Sequence, residues 1–370
     1  MEHFFSLGHT ALSFFLIISV IVFIHEFGHY LAARLCGVKI EAFAIGFGKE
    51  VLGWTDRTGT RWKICLAPLG GYVKMYGDST EASTPDVDAM RTMTEEEQRI
   101  SFHHKALWQK AIIVSAGPIA NFLLAISIFT FLIFSSGLDT TEPLVGKVME
   151  HSAAAEAGIR EGDRITAIND EEVNAFRDIS MILATNLGVE VRVHILREGQ
   201  PLILHITPRI TVEDDGLGNK VERPMLGISS PKITAENVSI FGAINESVKR
   251  TYSMIVMSLE FLRQVVSGER SAEQLKGPIG IADMSGKVAK KDGMTILWFM
   301  ALLSVNLGFM NILPIPPLDG GHLLFYTLEG LRGRPMAEQF QTWGYRIGFF
   351  LIMALMGFTL FNDMRQIIFS

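Results

Sequence analysis

Charge is what this chain has least of. Asp, Glu, Lys and Arg make up 19% of its 370 residues and hydrophobic types 48%, against roughly 25% charge in soluble domains. So little charge cannot cover the surface of one wholly soluble body, and the balance implies several membrane spans joined to one soluble part. An excess of positive charge is also lacking. The net charge is −6 and is spread along the chain, so there is no basic footprint and a nucleic-acid partner is excluded. Only two cysteines occur, Cys36 and Cys65, which excludes a disulfide framework. The first ten residues hold no Lys or Arg and no A-x-A cleavage site follows them, so the first apolar stretch is expected to be retained rather than removed as a signal peptide. Internal repeats and low-complexity runs are absent.

Long apolar runs are present. A span needs about 20 mostly apolar residues, and four stretches qualify: Phe4–Leu35, Lys110–Gly137, Met294–Leu318 and Thr342–Phe361. Nine Lys and Arg, from Lys39 to Lys105, lie between the first two, and Arg332 and Arg334 lie between the last two. The excess of Lys and Arg in short loops makes both loops cytoplasmic. Lys287, Lys290 and Lys291 vote the other way, but they follow a long segment, and long domains translocate largely regardless of charge. From Thr141 to about Pro231 the pattern turns to short alternating runs such as Val189–Ile195, which read as half-buried strands separated by Gly and Asp/Asn turns. This is a small soluble domain on the outer side. Thr251–Val266 is apolar on one face and carries Glu260 and Arg263, which fits an amphipathic helix in the interface rather than a fifth span.

The first span contains His25-Glu26-Phe27-Gly28-His29. Helix positions i and i+4 share a face, so both imidazoles can reach one zinc ion while Glu26 serves as general base. By composition this motif is expected by chance roughly 0.02 times in such a chain. His25 falls about 21 Å below an entry near Ala11, at 1.5 Å per residue, where ionisable groups are costly and usually functional. The competing reading is a satisfied polar cluster between helices. A catalytic zinc needs a third protein ligand. Asp319 is the first charge after 25 uncharged residues; alone it could equally be a turn aspartate. Topology favours the ligand, because spans one and three run the same way and bring His29 and Asp319 to the same side. Pro314, Pro316 and Pro317 cannot continue a helix, which fits either a broken segment lining a cavity or a simple helix end.

HEFGH in the first span and Asn311-Ile-Leu-Pro-Ile-Pro-Pro-Leu-Asp-Gly-Gly321 after the third resemble the site-2 protease family of intramembrane zinc metalloproteases, and within it a bacterial branch that regulates a sigma factor. Gly46-Phe-Gly48, Pro68–Met75, Ser115–Phe122, Gly277-Pro-Ile-Gly280 and Phe361-Asn-Asp363 add to the match, which covers nearly the whole chain. The resemblance implies a polytopic α-helical membrane protein with four transmembrane helices, a cytoplasmic-side membrane-re-entrant β-hairpin and one inserted PDZ-like α/β domain. It implies zinc on His25, His29 and Asp319, with Glu26 as base. Gly70, Gly71 and Tyr72 would present a hairpin edge to extended substrate, and Asn121, Asn311 and Pro314 would face substrate; Gly117 and Asn121 would equally suit close helix packing.

Glu142–Val148 and Ala154–Ile165 look like the peptide-accepting loop and following helix of a PDZ domain, which takes peptide C-termini by strand addition. About 90 residues leave room for one such domain where many relatives carry two. The implied partners are single-span membrane proteins already shortened outside, such as anti-sigma factors, or remnant signal peptides, together with the lipid of a bacterial inner membrane. The implied division is 1–140 (spans one and two with the hairpin), 141–231 (periplasmic PDZ-like domain), 232–293 (interfacial segment) and 294–370 (spans three and four). A non-catalytic PDZ-bearing adaptor or receptor and a zinc-dependent membrane hydrolase acting on lipids or soluble peptides are the rival readings.

Overall fold

A long apolar run in hydrocarbon must satisfy its backbone polar groups internally, which selects helices. The computed structural model describes residues 2–79, 87–186, 188–214, 220–232, 234–334 and 336–369. In chain order, α1 (Glu2–Leu35) is followed by β1 (Ile40–Thr55), β2 (Arg61–Met75), α2 (Val87–Thr92), α3 (Glu95–Ile100) and α4 (Leu107–Ser136). Then come β3 (Leu138–Asp139), β4 (Lys147–Val148), α5 (Ala153–Glu156), β5 (Arg164–Ile168), β6 (Glu171–Glu172), α6 (Phe176–Ala184), β7 (Val191–Arg197), β8 (Gln200–Ile206), β9 (Arg209–Asp214), β10 (Lys220–Met225), β11 (Ile228–Ser229), β12 (Ala235–Glu236) and α7 (Ile240–Ser267). The chain ends with α8 (Pro278–Val288), α9 (Gly293–Ile312), α10 (Asp319–Arg332) and α11 (Glu338–Phe369). Among the described residues, Gly8–Leu35, Leu107–Ser136, Gly293–Ile312 and Gln339–Gln366 are long and apolar enough to cross a membrane. The chain divides into two compact units, Met1–Ile128 with Leu275–Ser370, and Phe129–Gln274.

In the first unit, β1 and β2 form a bent hairpin. Its turn is tied by Asp56, whose Oδ1 accepts from the Thr58 and Thr60 amides at 2.8 and 3.1 Å. Ala42–Ile45 are flanked by Lys74–Gly71 on one side and by Arg61–Ile64 on the other. That places Gly71–Met75 at the edge of the hairpin sheet. Phe43 and Ile40 are fully buried with Ile113 of α4. Rings from α1 close the contact: Tyr30 lies 5.2 Å from Trp62 and Phe23 lies 5.6 Å from Phe43, centroid to centroid. The sequence predicts a third span reaching Leu318, but α9 stops at Ile312. Pro314 lacks an N–H and its ring would collide with the carbonyl four residues back, so the helix ends before it. The chain passes through a cis Pro316-Pro317 bond and restarts at Asp319. Asp363 of α11 caps α8, accepting from the Gly277 and Gly280 amides at 3.0 and 2.9 Å.

The second unit is built around a four-stranded sheet in the order β6-β5-β7-β8. In β7, Val191, Val193 and Ile195 are buried while Arg192 is exposed, the period-2 alternation expected of a half-buried strand. Val189, the first residue of the predicted alternating run, is exposed and precedes the strand. Each buried side chain contributes roughly 1.5–3 kcal/mol of transfer free energy, and Ile165, Ile168, Ile179 and Leu183 complete the same core. Asp163 is buried and accepts from Arg197 and from the Arg160 amide. Helix α7 runs 28 residues, longer than the 16 the sequence singled out. It packs within this unit: Gln264 donates to the Thr185 carbonyl at 2.8 Å and Glu246 pairs with Arg177. It is long enough to span but is not among the helices apolar enough to do so.

Candidate active site

Helix α1 carries His25 and His29 one turn apart, both buried at 8% exposure. Their Nε2 atoms face each other at 3.3 Å. Asp319, the first residue of α10, brings Oδ2 to 3.3 Å from His25 Nε2 and 3.5 Å from His29 Nε2. The start of a helix is electrostatically favourable for that carboxylate. Asp319 Oδ2 is buried and makes no well-formed hydrogen bond. With each imidazole protonated on Nδ1, both Nε2 atoms and Oδ2 are acceptors that converge on one point. Zinc bonds of about 2.0–2.1 Å arranged tetrahedrally put neighbouring ligand atoms about 3.3–3.4 Å apart. The observed separations match that edge, and two imidazoles with a carboxylate are a donor set that zinc takes, so these residues can hold the ion.

The opposite ring edges are held by α4. His29 Nδ1 lies 2.9 Å from the Ile113 carbonyl, and Asn121 Nδ2 lies 3.2 Å from His25 Nδ1. The two helices come this close because Gly28 faces the Ala116 carbonyl and Gly117 faces the two imidazoles, where a Cβ at either glycine would overlap its neighbours. On α10, a Cβ at Gly320 would strike the Ile312 and Leu313 carbonyls, and one at Gly321 would strike Pro316. The two glycines let the broken segment fold back over Asp319.

A cavity of about 220 Å³ opens onto this cluster. Glu26, His25, His29 and Asp319 line one part of it, and Gly71, Tyr72 and Val73 of the hairpin edge another. Asn311 and Pro317 come from the end of α9 and the broken segment, His322 and Tyr326 from α10, and Phe102 and Val114 close the rest. Of the residues expected at the site, Gly70, Asn121 and Pro314 are not among those lining the cavity. Gly70 sits at φ +96° against the Phe47 ring. Asn121 is fully buried behind His25. Pro314 lies between α9 and α10.

The profile of peptidase family M50 matches residues 13–355. The chain belongs to peptidase family M50. It is 41% identical over 360 residues, 96% of this chain and 98% of the relative, to a protein of Mesorhizobium japonicum that carries the name of a zinc metalloprotease. A Rhizobium meliloti protein named in the same way is 41% identical, with 97% of each chain covered. The metalloprotease MmpA of Caulobacter vibrioides is 36% identical, covering 96% of this chain and 95% of its own. This M50 peptidase is therefore a zinc metalloprotease, and with its four apolar helices a multi-pass membrane protein, so the resemblance to site-2 proteases is borne out.

Reading the sequence alone missed some residues of this M50 site. The Ile113 carbonyl that partners His29 is a backbone atom and leaves no trace in residue type. His322 does leave one: it lies one turn after Asp319 on α10, on a face that an i, i+3 reading reaches. Tyr345 Oη meets His322 Nδ1 at 3.1 Å.

Proposed function

We propose that this M50 peptidase hydrolyses peptide bonds within the membrane-spanning segments of single-span proteins, at a zinc held by His25, His29 and Asp319, with Glu26 as general base. The observation that carries the reading is the convergence of three lone-pair atoms at tetrahedral-edge separations beside the Glu26 carboxylate, in a cavity walled by apolar helices. The chemistry a zinc ion supplies there is polarisation of a carbonyl and acidification of water. Glu26 accepts the proton of the attacking water and returns it to the departing amine. Gly71 and Tyr72, on the hairpin edge that lines the cavity, bind an extended substrate by strand addition. Asn311 contacts the chain beside the scissile bond, with Gly70 and Pro314 flanking the same substrate path.

The hairpin dips into the membrane from the cytoplasmic side in this reading, and residues 141–231 form a single PDZ-like domain on the outer side of a bacterial inner membrane. That domain takes the C-terminus left by an earlier cut. Substrates are then anti-sigma-factor-like proteins or remnant signal peptides. Residues 232–293 form an interfacial segment. The test uses purified protein in detergent with a model single-span substrate. Glu26→Gln is expected to keep one zinc per chain and lose cleavage by at least 100-fold. His25→Ala, His29→Ala and Asp319→Ala are expected to lose the zinc. Normal zinc content in Asp319→Ala removes that ligand, and no cleavage by the native protein favours the adaptor reading.

A further inference from the structure

We propose that Asn121 is a positioning residue for the metal site: its amide oxygen accepts the Nδ1 proton of His25 and fixes that ring with Nε2 toward the ion. The inference rests on the zinc assignment above and goes beyond it, to a residue that touches neither the ion nor the cavity. The two histidines present Nε2 to each other and to Asp319, so Nε2 is the ligand atom on both rings. A neutral imidazole that ligates through Nε2 carries its proton on Nδ1 and can only donate there. For His29 the acceptor is in place, the Ile113 carbonyl at 2.9 Å. For His25, among the described residues, the side chain at Nδ1 is Asn121, 3.2 Å away with its amide nitrogen toward the ring, while its buried Oδ1 has no hydrogen-bond partner among them.

Two donors cannot face each other. Amide oxygen and nitrogen are distinguished only through their bonding partners, and turning the amide over pairs the orphaned oxygen with the ring proton. Asn121 is suited to the task. It is 0% exposed, and Ser304 Oγ of α9 donates to its backbone carbonyl at 2.8 Å, which fixes its place on α4. Both ring orientations are thus set from one helix, by a carbonyl two turns before the amide. A metal-ligating histidine whose outer nitrogen loses such a partner typically costs 10–100-fold in metal affinity.

The test compares native protein with Asn121→Leu and Asn121→Asp, reading zinc affinity by chelator competition and the visible spectrum of the cobalt-loaded protein. Asn121→Leu keeps the volume and removes the acceptor; it is expected to bind zinc 10–100-fold more weakly and to alter the cobalt spectrum. Asn121→Asp restores an acceptor and is expected to hold zinc at native affinity or tighter. If Asn121→Leu does not fold, Asn121→Asp decides through the spectrum: the near-isosteric carboxylate leaves packing unchanged but is a stronger acceptor for the His25 Nδ1 proton, so a shifted cobalt spectrum supports the positioning role and an unshifted one overturns it. Native zinc affinity in folded Asn121→Leu, with KM raised for a model substrate, overturns the positioning role and makes Asn121 a substrate contact. His25→Ala is run alongside: if it retains zinc, the metal assignment itself falls.

Discussion

Two imidazoles one turn apart on a helix reach a common ion only if the facing helix brings no side chain of its own into the space. Gly117 meets that condition. A Cβ there would overlap His29 Nε2 and lie 2.8 Å from His25 Cε1. The neighbours of that methyl are the rings of the proposed ligands, which cannot yield without spoiling the convergence of their Nε2 atoms with Asp319. Gly117→Ala is therefore expected to lower zinc affinity by on the order of tenfold or more, with the helix otherwise intact because Ala is the better helix former. Chelator competition on the purified variant checks this, and native affinity would show that α4 can shift to make room. The same position was legible in the sequence only as a small residue in a Gly-x-x-x-Asn pattern, for which close packing of helices was an equal reading.

At the scale of elements, the site depends on two interruptions of regular structure. One is the break between α9 and α10, which turns Asp319 toward α1. The other is the bend in the hairpin that makes Gly71–Met75 an edge strand along the cavity. A substrate helix buries each peptide carbonyl in its own i to i−4 ladder, and unwinding it in hydrocarbon costs several kcal/mol per freed group unless new partners are found. If the hairpin edge supplies them, Tyr72→Pro, which deletes a backbone donor from the edge, is expected to slow cleavage by roughly 10-fold, the worth of about 1.4 kcal/mol, and to leave zinc bound. Substrates with Gly, Pro, Ser or Asn near the cut are expected to be cleaved faster than Leu-rich versions of the same segment. A rate series over such substrates decides the point, and equal rates throughout would remove unwinding as the limiting step. The uncharged run reaches Leu318, but α9 ends at Ile312, ahead of the prolines that the sequence already marked as unable to continue a helix.

At the scale of the whole molecule, the residues of the proposed zinc site and its cavity all belong to one unit, Met1–Ile128 with Leu275–Ser370. The other unit interrupts it in sequence and contributes none of them. Deleting residues 142–230 is therefore expected to leave zinc binding and cleavage of a short model substrate within about threefold of native, and to admit substrates with bulky outer portions. A folded deletion variant that cuts nothing would place the inserted domain in the catalytic machinery instead. The sequence by itself determined whatever is local or additive. Apolar run length marked the four spans, the i, i+4 spacing put His25 and His29 on one face, and alternation marked β7. Counting the spans was enough to bring Asp319 to the side of His29, because direction alternates from one span to the next. Only the tertiary structure decided which atoms complete the site. Ile113 and Asn121 meet the histidines across 84 and 96 residues of chain, and such partners depend on the rotation and separation of two packed helices, which a one-dimensional pattern of residue types does not encode.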